Sequence, residues 1–246
     1  MPVKKYDVIF SLGAACLCSQ MLRKKRLQLC SYPLDWVANG DFSFRIGFLL
    51  SGFNDYFNKE DLSFTGELNG LEEHSCEVCL NKRTGMGFPH DFPAGVDFET
   101  AYPAVKEKYD RRIKRLFDNI EKGRDILIVY VTLAGKTPDS DTVLQDCRTK
   151  LVQRFPNKNI DILYISCAGE FSEKNVGDHI RRIAFDFDRP DSIPPYDVKK
   201  LRTAVNDYRL RLTLADRMRN YRYKMKKRFK RWKKKAVRYL TFRPSL

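Results

Sequence analysis

Cys16 is the residue in this chain best placed for covalent chemistry. The segment Ser11–Cys16 (SLGAAC) closes the apolar run Tyr6–Leu12 and opens a stretch rich in helix formers, Ala14 to Arg26. A strand should therefore pass through a glycine turn at Gly13 into a helix and leave Cys16 at the helix N-terminus. Unpaired backbone N–H groups and the helix dipole gather there. Both favour the thiolate, the form of cysteine that attacks a carbonyl carbon. Cys18 points to a different side of the helix, and Ser11 at the strand end is the rival nucleophile by position. The competing reading makes Cys16 a small buried hydrophobe.

A nucleophilic cysteine needs a base, and the chain has three histidines. His74 lies in an acidic stretch, and His179 falls in a segment, 176–183, that reads as a short helix. His90 stands beside Asp91 in Gly87–Phe92 (GFPHDF), at the end of an expected hairpin strand. Side chains at strand ends sit on a rigid element, where catalytic groups commonly project. His74, Cys76 and Cys79 form H-x-C-x2-C, which invites a zinc reading. A structural zinc needs four ligands, normally as two close pairs, and no second C-x-x-C exists. No phosphate-binding glycine loop, G-x-S-x-G or H-E-x-x-H occurs, so neither a metal nor a cofactor is expected.

The elements that must position these residues follow from periodicity. Ile126–Val131 (ILIVYV) and Ile160–Ile165 (IDILYI) are apolar runs of the kind covered on both faces of a sheet. The stretch 141–155 between them is helical in pattern, so the two runs should be adjacent parallel strands, with Tyr6–Leu12 nearby. Residues 97–121 carry Val105, Tyr109, Ile113, Leu116 and Ile120 at helical spacing. Residues 42–57 read as helical, 58–74 as irregular, 76–80 with 86–92 as a hairpin, and the chain from Asp197 to about Leu240 as helical. The expected fold is α/β, a layered sandwich with a mostly parallel sheet, followed by a C-terminal basic amphipathic helix. Residues 1–214 should form one catalytic-type domain and 215–246 a helical tail. Loops near Gly13, 132–137 and 167–170 should rim one crevice.

The 246 residues carry a net charge of +15 and seven cysteines. From Arg217 onward there are 14 Lys or Arg and no Asp or Glu, so the 32 basic residues before it meet all 31 acidic ones. The body is near neutral, which argues against a surface coated for nucleic acid. The odd cysteine count fits reduced thiols. The N-terminal segment reads as a first strand, not a secretion signal, and no window reaches the ~20 apolar residues of a spanning helix.

The segment from Asp7 to Val37 resembles the opening of a bacterial family known as the "putative papain-like cysteine peptidases", a domain of unknown function. The matching blocks are Ser11-Leu12-Gly13 with Cys16, then Leu22-Arg23, then Ser31-Tyr32-Pro33-Leu34-Asp35-Trp36. Further on come His90-Asp91-Phe92 and a helix block of Lys106, Lys108, Tyr109, Arg111, Arg112 and Ile113. Leu34 stands where the family pattern has Phe. The resemblance spans roughly residues 6–170. It implies that Cys16 is the nucleophile, His90 its base, and Asp35 or Asp91 the orienter. A papain fold would place an antiparallel sheet behind the nucleophile helix, whereas this chain reads strand–helix–strand. The same strand-end nucleophile suits an esterase or acyltransferase, acting on a peptide or glycan-related substrate. The alternative is a non-catalytic binding protein associated with envelope polysaccharide, with Ser11, Gly13, Trp36, Arg111 and Arg112 lining its cleft.

In the tail, Met218, Tyr221, Met225, Phe229, Trp232, Ala236 and Tyr239 recur at helical spacing. Lys226, Lys227, Arg228, Lys230 and Arg231 flank that stripe. Such a helix lies in a membrane interface with its aromatics buried and its cations on anionic headgroups. Nucleic acid is the rival partner, because phosphates and stacked bases suit the same residues. The expected location is cytoplasmic, at the inner face of a membrane.

Overall fold

The two apolar runs lie side by side in a five-stranded sheet. The computed structural model describes residues 3–14, 16–70, 75–132, 136–166, 170–185, 201–214, 216–218, 221, 225, 229 and 232. Its first strands are β1 (Lys4–Tyr6) and β2 (Val8–Gly13), followed by α1 (Cys16–Lys24) and α2 (Phe42–Ser51). A three-stranded antiparallel sheet follows, made of β3 (Leu62–Asn69), β4 (Cys76–Asn81) and β5 (Gly87–Pro93). Then come α3 (Phe98–Lys122), β6 (Asp125–Val131), α4 (Asp141–Arg154) and β7 (Asn159–Ser166). The elements close with β8 (Ser172–Val176), β9 (Ile180–Ala184) and β10 (Tyr208–Leu210).

The main sheet runs β2-β6-β7-β9-β8, parallel except for β8. Val8 pairs with Ile126, and Ile126 with Ile160, so the expected parallel neighbours are present. Alternation sends Val8, Phe10, Ile126, Ile128, Ile160 and Ile162 to one face, into a core shared with α2, α3 and α4. Ile9, Leu127, Val129, Leu163 and Ile165 face the other way, against α1 and residues 201–208. Both faces are covered, which is why these strands read as unbroken apolar runs. Asp41, Asp97 and Ser140 start α2, α3 and α4 by accepting hydrogen bonds from Phe44, Thr100 and Val143 amides.

Three sequence expectations give way. The stretch expected to be irregular contains β3, an edge strand exposed along much of its length and so without an apolar alternation. The expected helix at 176–183 is instead a hairpin, with β8 and β9 antiparallel around Gly177 at φ +65°. The helix expected from Asp197 is interrupted by β10, which pairs in parallel with β1, Lys4 opposite Tyr208. That pairing joins the two ends of the body and leaves no local signature.

The chain divides into two compact units, Met1–Leu210 and Arg211–Leu246. In the second, the Thr213 amide donates to Asp216 Oδ2 at 3.2 Å and the Asp216 amide to Thr213 Oγ1 at 3.1 Å. This reciprocal pair is a capping box.

Candidate functional site

Cys16 is the first residue of α1 and half-buried, two positions beyond Ala14 in the turn that follows β2. Its thiol accepts from its own amide and from Gln20, which favour the thiolate. Burial outweighs them and pushes the thiol above its ordinary range. The expected lowering by the helix terminus is therefore reversed, because desolvation penalises the charged form more than one turn of helix favours it. Cys18, fully buried, is pushed up to about 12 by the same cause. Cys30 and Cys76 are the other half-buried thiols among the described residues, while Cys79 and Cys147 are buried.

Ser11 is not an available nucleophile. It is 1% exposed, its hydroxyl accepts the Gly13 amide at 3.1 Å, and its own amide donates to Gln28 Oε1 at 3.1 Å. Gly13 is likewise buried, with φ +112°.

What shapes this turn is Arg45, a residue the sequence reading passed over. It is the one charged side chain of the apolar helix α2 and is 0% exposed. Its guanidinium is caged by backbone carbonyls: Nη1 donates to Leu12 at 2.9 Å, and Nη2 donates to Ala14 at 3.0 Å and Val37 at 3.1 Å. Nε donates to Asn39 at 3.0 Å and Gly40 at 3.1 Å. It thereby ties the end of β2 to the 34–40 loop without a carboxylate partner among the described residues. A lone arginine amid Phe42–Ser51 (FSFRIGFLLS) was the available signal, since a buried guanidinium must find acceptors.

Asp35 braces the same turn from the loop. It is 0% exposed, and its Oδ2 accepts from Gln28 Nε2 at 2.6 Å and from the Tyr32 amide at 2.9 Å. Arg23 Nη2 stands 3.6 Å away. The Ser19 hydroxyl lies 3.0 Å from both the Cys16 and Asp35 carbonyl oxygens and shares its proton between them. Burial raises the Asp35 carboxyl to about 6, against the opposing pull of Gln28, Tyr32 and Arg23. Among the described residues its Oδ1 has no hydrogen-bond partner, and neither do the buried Arg23 Nε and Arg112 Nη1.

Trp36 and His90 meet edge to face, ring centroids 6.2 Å apart, and the Arg23 guanidinium lies 5.4 Å from the Trp36 ring. His90 is exposed, with Nδ1 2.9 Å from Asn69 Nδ2. Among the described residues no hydrogen bond joins it to Cys16. Asp91 does not orient His90, because successive strand residues face opposite ways. It is buried instead with Lys108 Nζ at 2.6 Å and the Tyr109 hydroxyl at 2.6 Å. Arg111 is a surface residue paired with Glu107 one turn back. Arg112 is mostly buried, 5.2 Å from the Tyr109 ring and 3.9 Å from Asp91. The two arginines differ because α3 presents adjacent positions about 100° apart.

No cluster among the described residues could hold a metal, and no described helix is long and apolar enough to cross a membrane. His74, Cys167, the loop residues 133–135 and 167–169, and Lys226, Lys227, Arg228, Lys230 and Arg231 lie outside the described residues. Tyr221, Met225, Phe229 and Trp232 are helical and exposed.

Residues 7–169 match the model of a family described as "Putative papain-like cysteine peptidase". Among curated proteins, an uncharacterised protein of Acanthamoeba polyphaga mimivirus is 26% identical over 184 residues, covering 70% of this chain and 82% of its own length. That relative is viral, which leaves the bacterial part of the resemblance without support. No solved structure matches.

Proposed function

We propose, from the premise that this chain belongs to that papain-like cysteine peptidase family, that it is a thiol hydrolase with Cys16 as nucleophile. The observation that carries this is the placing of Cys16 at the first position of α1, directly after parallel strand β2. In open parallel sheets, ligands bind beyond the C-terminal ends of the strands. A half-buried thiol held above its ordinary range is protonated at rest and needs a base in the complex. His90 is that base in this reading. It contacts the Asp35–Trp36 loop, the loop whose Asp35 carbonyl is tied through Ser19 to Cys16. The thiol proton passes to His90 as the sulfur–carbon bond forms at the substrate carbonyl. The carbon–nitrogen or carbon–oxygen bond then breaks, and the leaving group takes that proton. Water cleaves the thioester, releasing the acid and restoring the thiol.

Trapping the acyl-enzyme tests this. With p-nitrophenyl ester donors, intact-mass analysis should find one acyl group on Cys16, absent in Cys16→Ala and formed at least ~10²-fold more slowly in His90→Ala. Acylation spread equally over Cys30 and Cys76, or indifferent to His90, would sink the assignment.

A binding role without catalysis is the second reading. It is favoured by Asp35 Oδ1 and Arg23 Nε, buried atoms without a hydrogen-bond partner among the described residues, since buried polar atoms normally find partners. Ligand capture by an acylation-dead Cys16→Ser protein would support it.

For the second unit, membrane association is the proposal. Tyr221, Met225, Phe229 and Trp232 are 65, 46, 58 and 63% exposed and recur at helical spacing amid basic residues. Vesicles containing anionic lipid should sediment the full chain, less so in salt or with Phe229 and Trp232 both replaced by Ser. Equal sedimentation by neutral vesicles would contradict it.

A further inference from the structure

A second cleft, of about 310 Å³, opens within the first unit at the opposite end of the main sheet. Asp161 lies near the start of β7, His179 just before β9, and Lys4 and Tyr6 ahead of β2, whereas Cys16 follows the far end of β2. Six residues of strand separate the two ends by roughly 20 Å. The cleft is therefore distinct from the site around Cys16 and independent of the thiol reading. Its volume falls at the low end of the roughly 300–1,000 Å³ usual for ligand pockets, which suits a small molecule.

Its centre is a histidine fixed by a carboxylate. His179 Nδ1 lies 2.7 Å from Asp161 Oδ1, and Asp161 Oδ2 accepts from the Tyr6 hydroxyl at 2.6 Å, with Lys4 Nζ 3.5 Å away. An ionised carboxylate only accepts, so in the neutral imidazole the proton sits on Nδ1 and the lone pair on Nε2. His179 is 37% exposed in its side chain, so that lone pair is within reach of a ligand. Nothing in the proposed thiol chemistry uses it.

The remaining charges decide what the ligand should be. Arg181 is already held by Glu173 at 2.8 Å and Asp207 at 3.5 Å, and lies 5.7 Å from the Tyr208 ring. Asp178 has no partner among the described residues, and Asp207 has one long contact. The free capacity at the cleft is thus mainly acceptor capacity, in a chain whose net charge is +15. The rings of Tyr6 and Tyr208, with centroids 5.9 Å apart, add apolar and π surface. We propose that this cleft binds a small aliphatic amine as its ammonium cation. The ammonium donates to His179 Nε2 and to the Asp178 and Asp207 carboxylates, while the methylenes lie against the tyrosines. Among the described residues no three His, Cys, Asp or Glu side chains come together as metal ligands.

The chain has three histidines, so ring proton signals resolve, and His179→Gln assigns the one concerned. Titration with 1,4-diaminobutane should shift the His179 signal saturably, with a Kd in roughly the millimolar range, and leave His90 unmoved. Asp178→Asn, at an exposed residue whose side chain has no partner among the described residues, should weaken binding several-fold. Asp178→Asn with Asp207→Asn should weaken it at least tenfold while the protein keeps a cooperative melting transition. A linear shift without saturation, an equal shift at His90, the same response to 1,4-butanediol or glutarate, or full binding by the double variant would each overturn the proposal.

Discussion

A β-carbon on Gly13 would lie 2.0 Å from Nη1 of Arg45. The glycine is bare because a buried guanidinium occupies the space a side chain would need, and its φ of +112° is one L side chains rarely adopt. The turn before Cys16 and the cation beneath it are thus one structural unit.

Gly13→Ala should therefore destabilise the body by more than ~3 kcal/mol, since both the clash and the dihedral oppose it. Arg45→Lys should cost about as much, because an ammonium cannot reach the carbonyls of Leu12, Ala14, Val37, Asn39 and Gly40 together. Urea midpoints measure both. A loss below ~1 kcal/mol for either variant would contradict the cage.

Asp35 should give the body a distinctive pH dependence. Its folded pKa, about 6, lies above the ordinary 3.8, so the native state holds the proton more tightly than the unfolded chain. The stabilisation is complete below about 3.8 and is lost as pH rises through about 6. Its full size is on the order of 3 kcal/mol. Asp35→Asn should flatten the urea midpoint between those two pH values, and an unchanged slope would disprove the assignment.

Cys16 in the free protein should alkylate more slowly at pH 7 than an exposed cysteine. Burial raises its pKa, so the rate should climb with pH and reach its midpoint above the ~8.5 of a free thiol. Iodoacetamide kinetics by peptide mass, with Cys16→Ala as control, decide this. A plateau already reached at pH 6 would reveal a resting thiolate.

Adjacent residues of β5 should behave as opposites. Asp91→Ala strands Lys108 and the Tyr109 hydroxyl and should cost ~3–5 kcal/mol. His90→Ala, at an exposed position, should stay within ~0.5 kcal/mol while abolishing any base function. Matching thermal shifts for the two would contradict the opposed faces.

The sequence by itself determined the elements whose signals are local. Ile126–Val131 and Ile160–Ile165 announce buried strands because both faces of their sheet are covered, and the 97–121 periodicity announces α3 because one helix face packs on the core. The SLGAAC turn, with Cys16 opening a helix, was legible for the same reason. Tertiary structure alone decided the rest. Arg45 meets Leu12 across 33 positions, His179 meets Asp161 across 18, and β10 meets β1 across nearly the whole body. A residue's type states which partners it needs, but only the closed chain supplies them. The direction of the Cys16 shift shows the same division. Sequence placed it at a helix terminus, which lowers a thiol pKa, and packing then removed the water whose loss raises it.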